Sequence, residues 1–76
     1  MVTAYVMIKS LTGEADRIKR DIAAIDGVTE VHIVAGDVDL IAKVDVESPA
    51  EVKEVAATQI HGIDDVDSTQ TYIAMD

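Results

Sequence analysis

Two aspartates set around a glycine turn are the residues of this 76-residue chain with the best claim to chemistry. In Ala35-Gly36-Asp37-Val38-Asp39-Leu40 they stand at i and i+2, beside a residue that leaves backbone N–H and C=O groups open. Such a turn can bind a ligand that carries both an ammonium and a carboxylate. The competing account is a hairpin turn with glycine at positive φ, whose aspartates satisfy local amides. Thr69-Gln70-Thr71 adds hydroxyls on alternate positions of an extended stretch, which by itself is good β-propensity.

Other constellations offer less. His32 and His61 are the only imidazoles and have no third nitrogen or sulfur ligand near in sequence, so a metal would have to rely on acidic neighbours. A strand histidine and a helix-end histidine favoured by the macrodipole explain both. Asp64, Asp65 and Asp67 lack the glycine and terminal glutamate of a calcium loop and read as a solvated turn. No Ser/His/Asp or Cys/His arrangement is supported, and the absence of cysteine removes thiolate chemistry, disulfides and cysteine-based zinc sites. The reading is therefore of a non-enzyme with no catalytic residue, no metal and no cofactor. Fifteen acidic residues against six basic give a net charge of -9, which repels phosphate backbones and anionic lipid surfaces, so no direct nucleic acid or membrane partner is expected. Ten of the acids are Asp and only four residues are Lys, a surface that would suit a high-salt cytoplasm, although ordinary acidic proteins look similar. Met1 leads into an alternating strand and not into a signal peptide, and no apolar run approaches the ~20 residues of a membrane span, so a cytoplasmic setting is expected.

The elements that must position these residues come from a duplication. Ile25-Asp26-Gly27-Val28-Thr29-Glu30-Val31 is echoed thirty-five residues later by Ile60-His61-Gly62-Ile63-Asp64-Asp65-Val66, and each copy reads as a helix ending and a strand beginning. Val2 to Ile8 alternates as a strand. Ala15, Ile18, Ile22 and Ile25 then follow a helical period that Gly27 closes in the left-handed conformation. Val28 to Val34 is a second strand and Leu40 to Val46 a third. Ser48-Pro49-Ala50-Glu51 predicts a reciprocal capping box, with the Ser48 hydroxyl on the Glu51 N–H and the Glu51 carboxylate on the Ser48 N–H. Val52, Val55, Ala56 and Ile60 form the next helical stripe, Gly62 ends it as Gly27 ended the first, and Val66 to Ala74 is the last strand.

The order βαββαβ, with right-handed crossovers, leaves an α+β, ferredoxin-like sandwich: a four-stranded antiparallel sheet with two helices on one face, in one domain spanning 1–76. The other face should present Tyr5, Met7, His32, Val34, Ile41 and Tyr72. An apolar patch of this kind predicts face-to-face self-association of the sheets, which also supplements a core too small to be comfortably stable alone.

Taken together, the strand ending in Ile8-Lys9, the Ile25-Asp26-Gly27-Val28 helix exit, the Gly36-Asp37-Val38-Asp39-Leu40 turn, the Ile60-His61-Gly62-Ile63 repeat and the Thr69-Gln70-Thr71-Tyr72-Ile73 strand give the whole chain its resemblance to the amino-acid-binding regulatory (RAM) domain of the Lrp/AsnC transcription regulators. That resemblance implies a domain that dimerises through its sheets, with dimers often joining into octamers, and an amino acid or related small effector bound at contacts between dimers. It implies that Asp37 or Asp39 receives the ligand ammonium, that the neighbourhood of Gly36 and Val38 offers backbone groups, and that Thr69 and Thr71 hydrogen-bond polar ligand atoms. Where the family usually has a threonine before the glycine and an aromatic between the aspartates, this chain has Ala35 and Val38. It also lacks the N-terminal helix-turn-helix domain, and so resembles the stand-alone regulatory domains of archaea and bacteria, which sense metabolites or act with full-length Lrp/AsnC regulators. Alternatives are a ligand-free oligomerisation module, an ACT-like module of a metabolic enzyme, and a small ferredoxin-like monooxygenase or isomerase.

Overall fold

The computed structural model describes residues 1–11 and 13–76. It contains β1 (Val2–Ser10), α1 (Ala15–Ala23), β2 (Val28–Ile33), β3 (Leu40–Val46), α2 (Pro49–Lys53) continuing as a π-helical stretch (Glu54–Ile60), and β4 (Val66–Ile73). The four strands form one antiparallel sheet in the order β2-β3-β1-β4, the ferredoxin-like arrangement expected from the element order. The period-2 alternation places Ala4, Val6 and Ile8 of β1 and Leu40, Ala42 and Val44 of β3 on the helix side, where all are fully buried. Against them pack Ile18 and Ile22 of α1 and Val52, Val55, Ala56 and Ile60 of the second helix. Each of the larger side chains contributes about 1.5–3 kcal/mol through its removal from water.

The two copies of the repeat end their helices differently. Gly27 takes the left-handed conformation, with φ +98°, and it approaches β3 so closely that a Cβ there would lie 2.8 Å from Val46 Cγ1. Gly62 does not take that conformation; the left-handed residue of the second copy is Asp65, at φ 71°. Aspartate is among the few residues that tolerate this region. Gly62 is required instead by proximity, since a Cβ there would come within 2.6 Å of the Thr58 carbonyl oxygen. The second helix also widens after Lys53, so that the His61 N–H donates to the Ala56 carbonyl, five residues back, at 3.2 Å. Gly36 likewise departs from expectation: the β2–β3 connection closes without a positive φ at that position.

The capping box forms by half. The Ser48 hydroxyl accepts from the Glu51 N–H at 3.4 Å, but the Glu51 carboxylate accepts from the N–H of Glu47, at 2.9 Å, and not from that of Ser48. One residue of reach separates the two, and the extended backbone of Ser48 (φ -146°, ψ 159°) presents the preceding amide to the carboxylate.

The face away from the helices is built in cross-strand rows. Tyr72, Tyr5, Lys43 and Glu30 form one row, and Gln70, Met7, Ile41 and His32 the next. Tyr5 and Tyr72 remain 38% and 51% exposed, so the apolar centre of this face is wet in a single chain. Val34 lies just beyond β2, half-buried, with its N–H donating to the Asp39 carbonyl at 2.9 Å. Among the described residues, no helix is long and apolar enough to cross a membrane.

Candidate functional site

The β2–β3 turn is held against the end of β1 by its second aspartate. The Asp39 N–H donates to the Ile8 carbonyl at 2.9 Å, and Asp39 Oδ2 accepts from the Ser10 N–H at 2.9 Å. One carboxylate oxygen of Asp39 thus holds the main chain of β1 just where that strand shifts register against β4, between Lys9 and Ser10. Val38 is half-buried, while Gly36 and Asp37 are exposed. Asp37 has no hydrogen-bond or ion-pair partner among the described residues, which leaves its carboxylate available to a cation from outside.

Thr69 and Thr71 lie elsewhere. Thr69 pairs with Ile8, Thr71 with Val6 and Ile73 with Ala4, and directly paired residues share a face, so all three point to the helix side of the outer strand. There they form one wall of a groove of about 310 Å³, whose other wall is Val52, Lys53, Ala56 and Ala57. Strand β1 separates this groove from the aspartate turn. Two inter-strand spacings amount to about 10 Å, and the threonines face the helices on the far side of β1 from the turn. A single chain does not bring the aspartates and threonines around one small ligand.

Lys53 is the residue of this region that sequence reasoning missed. It follows the buried Val52 and shares the groove with Ala56 and Ala57, whose small side chains leave the space open. A cation beside two consecutive alanines at the edge of an apolar stripe was the available signal.

A second depression, of about 350 Å³, is acidic: Asp26, Asp45, Glu47, Glu51 and Glu54 surround it. The Thr3 hydroxyl donates to Asp45 Oδ1 at 2.6 Å and the Thr29 hydroxyl to Oδ2 at 3.1 Å. The Thr3 hydrogen bond, with smaller help from Thr29 and Lys43, holds the Asp45 carboxyl below its ordinary pKa against an opposing push from desolvation. The other acidic cluster is anchored: Arg17 Nη2 lies 2.6 Å from Asp65 Oδ2 and 3.1 Å from the Asp64 carbonyl, and so ties the turn before β4 to α1. His32 Nε2 is 3.2 Å from Glu30 Oε1 on the open face, and His61 is exposed at the end of the second helix. Among the described residues no group of three His, Cys, Asp or Glu is arranged to hold a metal ion.

Comparison with known proteins adds to this geometry. The family model described as the Lrp/AsnC ligand binding domain matches residues 3–76. An uncharacterized helix-turn-helix-type transcriptional regulator of Pyrococcus abyssi is 35% identical over 77 residues, which cover 97% of this chain and 51% of the regulator. The chain spans about half the length of the curated regulators of this kind that it matches. Among solved structures, a protein of Thermus thermophilus is similar with a TM-score of 0.95 at 30% identity, over 100% of this chain and 95% of that one. The feast or famine regulatory protein of M. tuberculosis, solved as a complex with L-methionine, has a TM-score of 0.83 at 22% identity, over 100% of this chain and 51% of that protein, a likeness of fold.

Proposed function

We propose that this chain, which belongs to the Lrp/AsnC ligand-binding domain family, binds an amino acid or a related small metabolite where copies of it meet, and serves regulation and not catalysis. The observation that carries the reading is the separation of Asp37 from Thr69 and Thr71 by strand β1, since a second copy is what can bring an aspartate turn to a threonine wall. Sheet-to-sheet dimerisation through Tyr5, Met7, His32, Val34, Ile41 and Tyr72 supplies the first contact, and dimers joining into an octamer would supply the second. Binding and assembly are then coupled, because a ligand held by two copies stabilises their contact by mass action. In this reading Asp37 receives the ammonium, with Asp39 holding the turn in place and Gly36 and Val38 offering main-chain groups. Thr69 and Thr71 bind polar ligand atoms. The M. tuberculosis relative complexed with L-methionine supports an amino acid as the effector class, and the Pyrococcus regulator supports transcription as the destination. The effect on transcription passes through full-length Lrp/AsnC regulators in the cytoplasm, since a surface of charge -9 is unsuited to holding DNA itself.

Calorimetric titration of the purified protein with the twenty amino acids tests this, with Asp37→Ala and Thr71→Ala alongside. One or a few should bind the wild type at micromolar to millimolar strength and neither variant. If neither an amino acid nor the corresponding keto acid binds while the oligomer persists, the proposal is wrong and an assembly module replaces it.

A further inference from the structure

The groove beside β4 differs in charge from the rest of the molecule. Acidic residues outnumber basic ones fifteen to six, yet the groove lining contains one cation, Lys53, and no carboxylate. Lys53 has no ion-pair partner among the described residues, as is also true of Lys9, Lys19 and Arg20, but of these it alone lines the groove. The remaining lining is apolar apart from the hydroxyls of Thr69 and Thr71.

We propose that this groove is a binding site for a small apolar carboxylate, with the carboxylate on the Lys53 ammonium and the hydrocarbon tail along Val52, Ala57 and Ile73, and that the groove itself makes no use of an ammonium on the ligand. The inference rests on the family reading only in taking Thr69 and Thr71 as ligand-facing; the ligand class comes from the lining. An anion is what an ammonium on one wall and two hydroxyl donors on the other can bind, through charge-assisted hydrogen bonds. An ammonium in the same space would face an apolar wall and a like charge, with no acceptor better than a hydroxyl, and a polar group desolvated without a partner is costly. The volume of about 310 Å³ is at the small end of ligand sites and admits a metabolite of amino acid size. Ala56 and Ala57 keep the floor clear, since longer side chains there would fill it. An α-keto acid therefore satisfies this groove better than the corresponding amino acid, whose ammonium would lie there without a partner. The amino acid gains an advantage only where another copy of the chain presents Asp37 to its ammonium.

The test is calorimetric titration of the purified whole protein with α-ketoisocaproate, leucine and leucinamide, repeated on Lys53→Gln and Ala57→Glu. Both positions are exposed, and unchanged thermal unfolding confirms that the variants fold. The keto acid should bind and leucinamide should not. Lys53→Gln should weaken the keto acid about tenfold, equivalent to about 1.4 kcal/mol, and Ala57→Glu, which places a carboxylate in the groove, should weaken it at least as much. The proposal is overturned if leucinamide binds as tightly as the keto acid, if neither substitution changes keto acid affinity, or if Ala57→Glu alters the oligomer while no carboxylate binds, which would make a second copy the occupant. Amino acid binding that is lost in Asp37→Ala and untouched by Lys53→Gln removes this inference and leaves the family reading standing. Keto acid binding that depends on Lys53 and is untouched by Asp37→Ala, with no amino acid bound, leaves this inference standing and removes the shared site proposed above.

Discussion

Replacing Gly27 with alanine should come close to unfolding this protein. Gly27 sits at φ +98°, where an L-residue costs about 1–2 kcal/mol. The added methyl would lie 2.8 Å from Val46 Cγ1 and 3.7 Å from Val55 Cγ2. Val46 is β-branched and its χ1 yields little, so overpacking adds about 1–3 kcal/mol. The Asp45 N–H also donates to the Gly27 carbonyl at 2.8 Å, which prevents the turn from drifting away without loosening β3. A combined loss of about 2–5 kcal/mol compares with the roughly 3–5 kcal/mol that a core of this size supplies. Urea unfolding, followed by circular dichroism at fixed protein concentration because association adds stability, is the assay. With an m-value of about 1 kcal/mol per molar, expected for a small chain, the midpoint should fall by about 2 M or more. Gly36→Ala is the paired control: no atom lies within 4 Å of its added methyl and its φ is not left-handed, so the change should stay within about 0.5 kcal/mol. Equal midpoints for the two variants would refute the reasoning.

Arg17→Ala should cost about 1 kcal/mol, since its 2.6 Å pair with Asp65 is a short charge-assisted contact but the side chain is 33% exposed and screened. It should also speed hydrogen exchange at the Leu11 amide, which donates to the Asp65 carbonyl; an unchanged rate would show that Arg17 does not hold this turn. Ile41→Asp, at the centre of the open face, should shift the proposed sheet-to-sheet dimer to monomer in sedimentation at micromolar concentration while leaving the helix-side core intact, and a dimer that forms equally well in the variant would remove the sheet face as the interface. For Asp45, a folded-state pKa below the ordinary value means that the unfolded chain binds the proton more readily. Its stabilisation is complete above the ordinary carboxylate value and is lost as pH falls through the lower folded-state value. Asp45→Asn should therefore flatten the acid limb of a stability against pH curve and leave the neutral region alone; identical acid slopes in the two proteins would contradict this.

The faces of the strands that carry the candidate site were legible because strands alternate. With Tyr72 on the open face, a period of two requires Thr69 and Thr71 on the other, a consequence that the register bears out, and the apolar stripe of the second helix names Val52, Val55, Ala56 and Ile60. What the stripe could not show is how that helix winds: a π-helical turn and an α-helical one bury similar residues, and the choice depends on packing against the sheet. The match between Gly27 and Gly62 was equally misleading. Identical residues in a repeat imply similar constraints, but one glycine is required by its φ and the other by a carbonyl 2.6 Å from its missing side chain.

Element order, the faces of β1 and β3, the left-handed turn at Gly27 and the acidity of the surface follow from the amino-acid sequence alone, because each depends on local periodicity, on the conformational freedom of one residue or on a count of charges. Strand order, register and the company kept by each functional side chain were decided by the tertiary structure. Ile8 pairs with Thr69 across β1 and β4 while accepting the Asp39 N–H from its other side, a convergence of three segments distant in the chain. It is this convergence that engages Asp39 with the main chain, leaves Asp37 free and turns the threonines toward Lys53. Non-local hydrogen bonding sets such neighbours, and no pattern read along a single segment contains it.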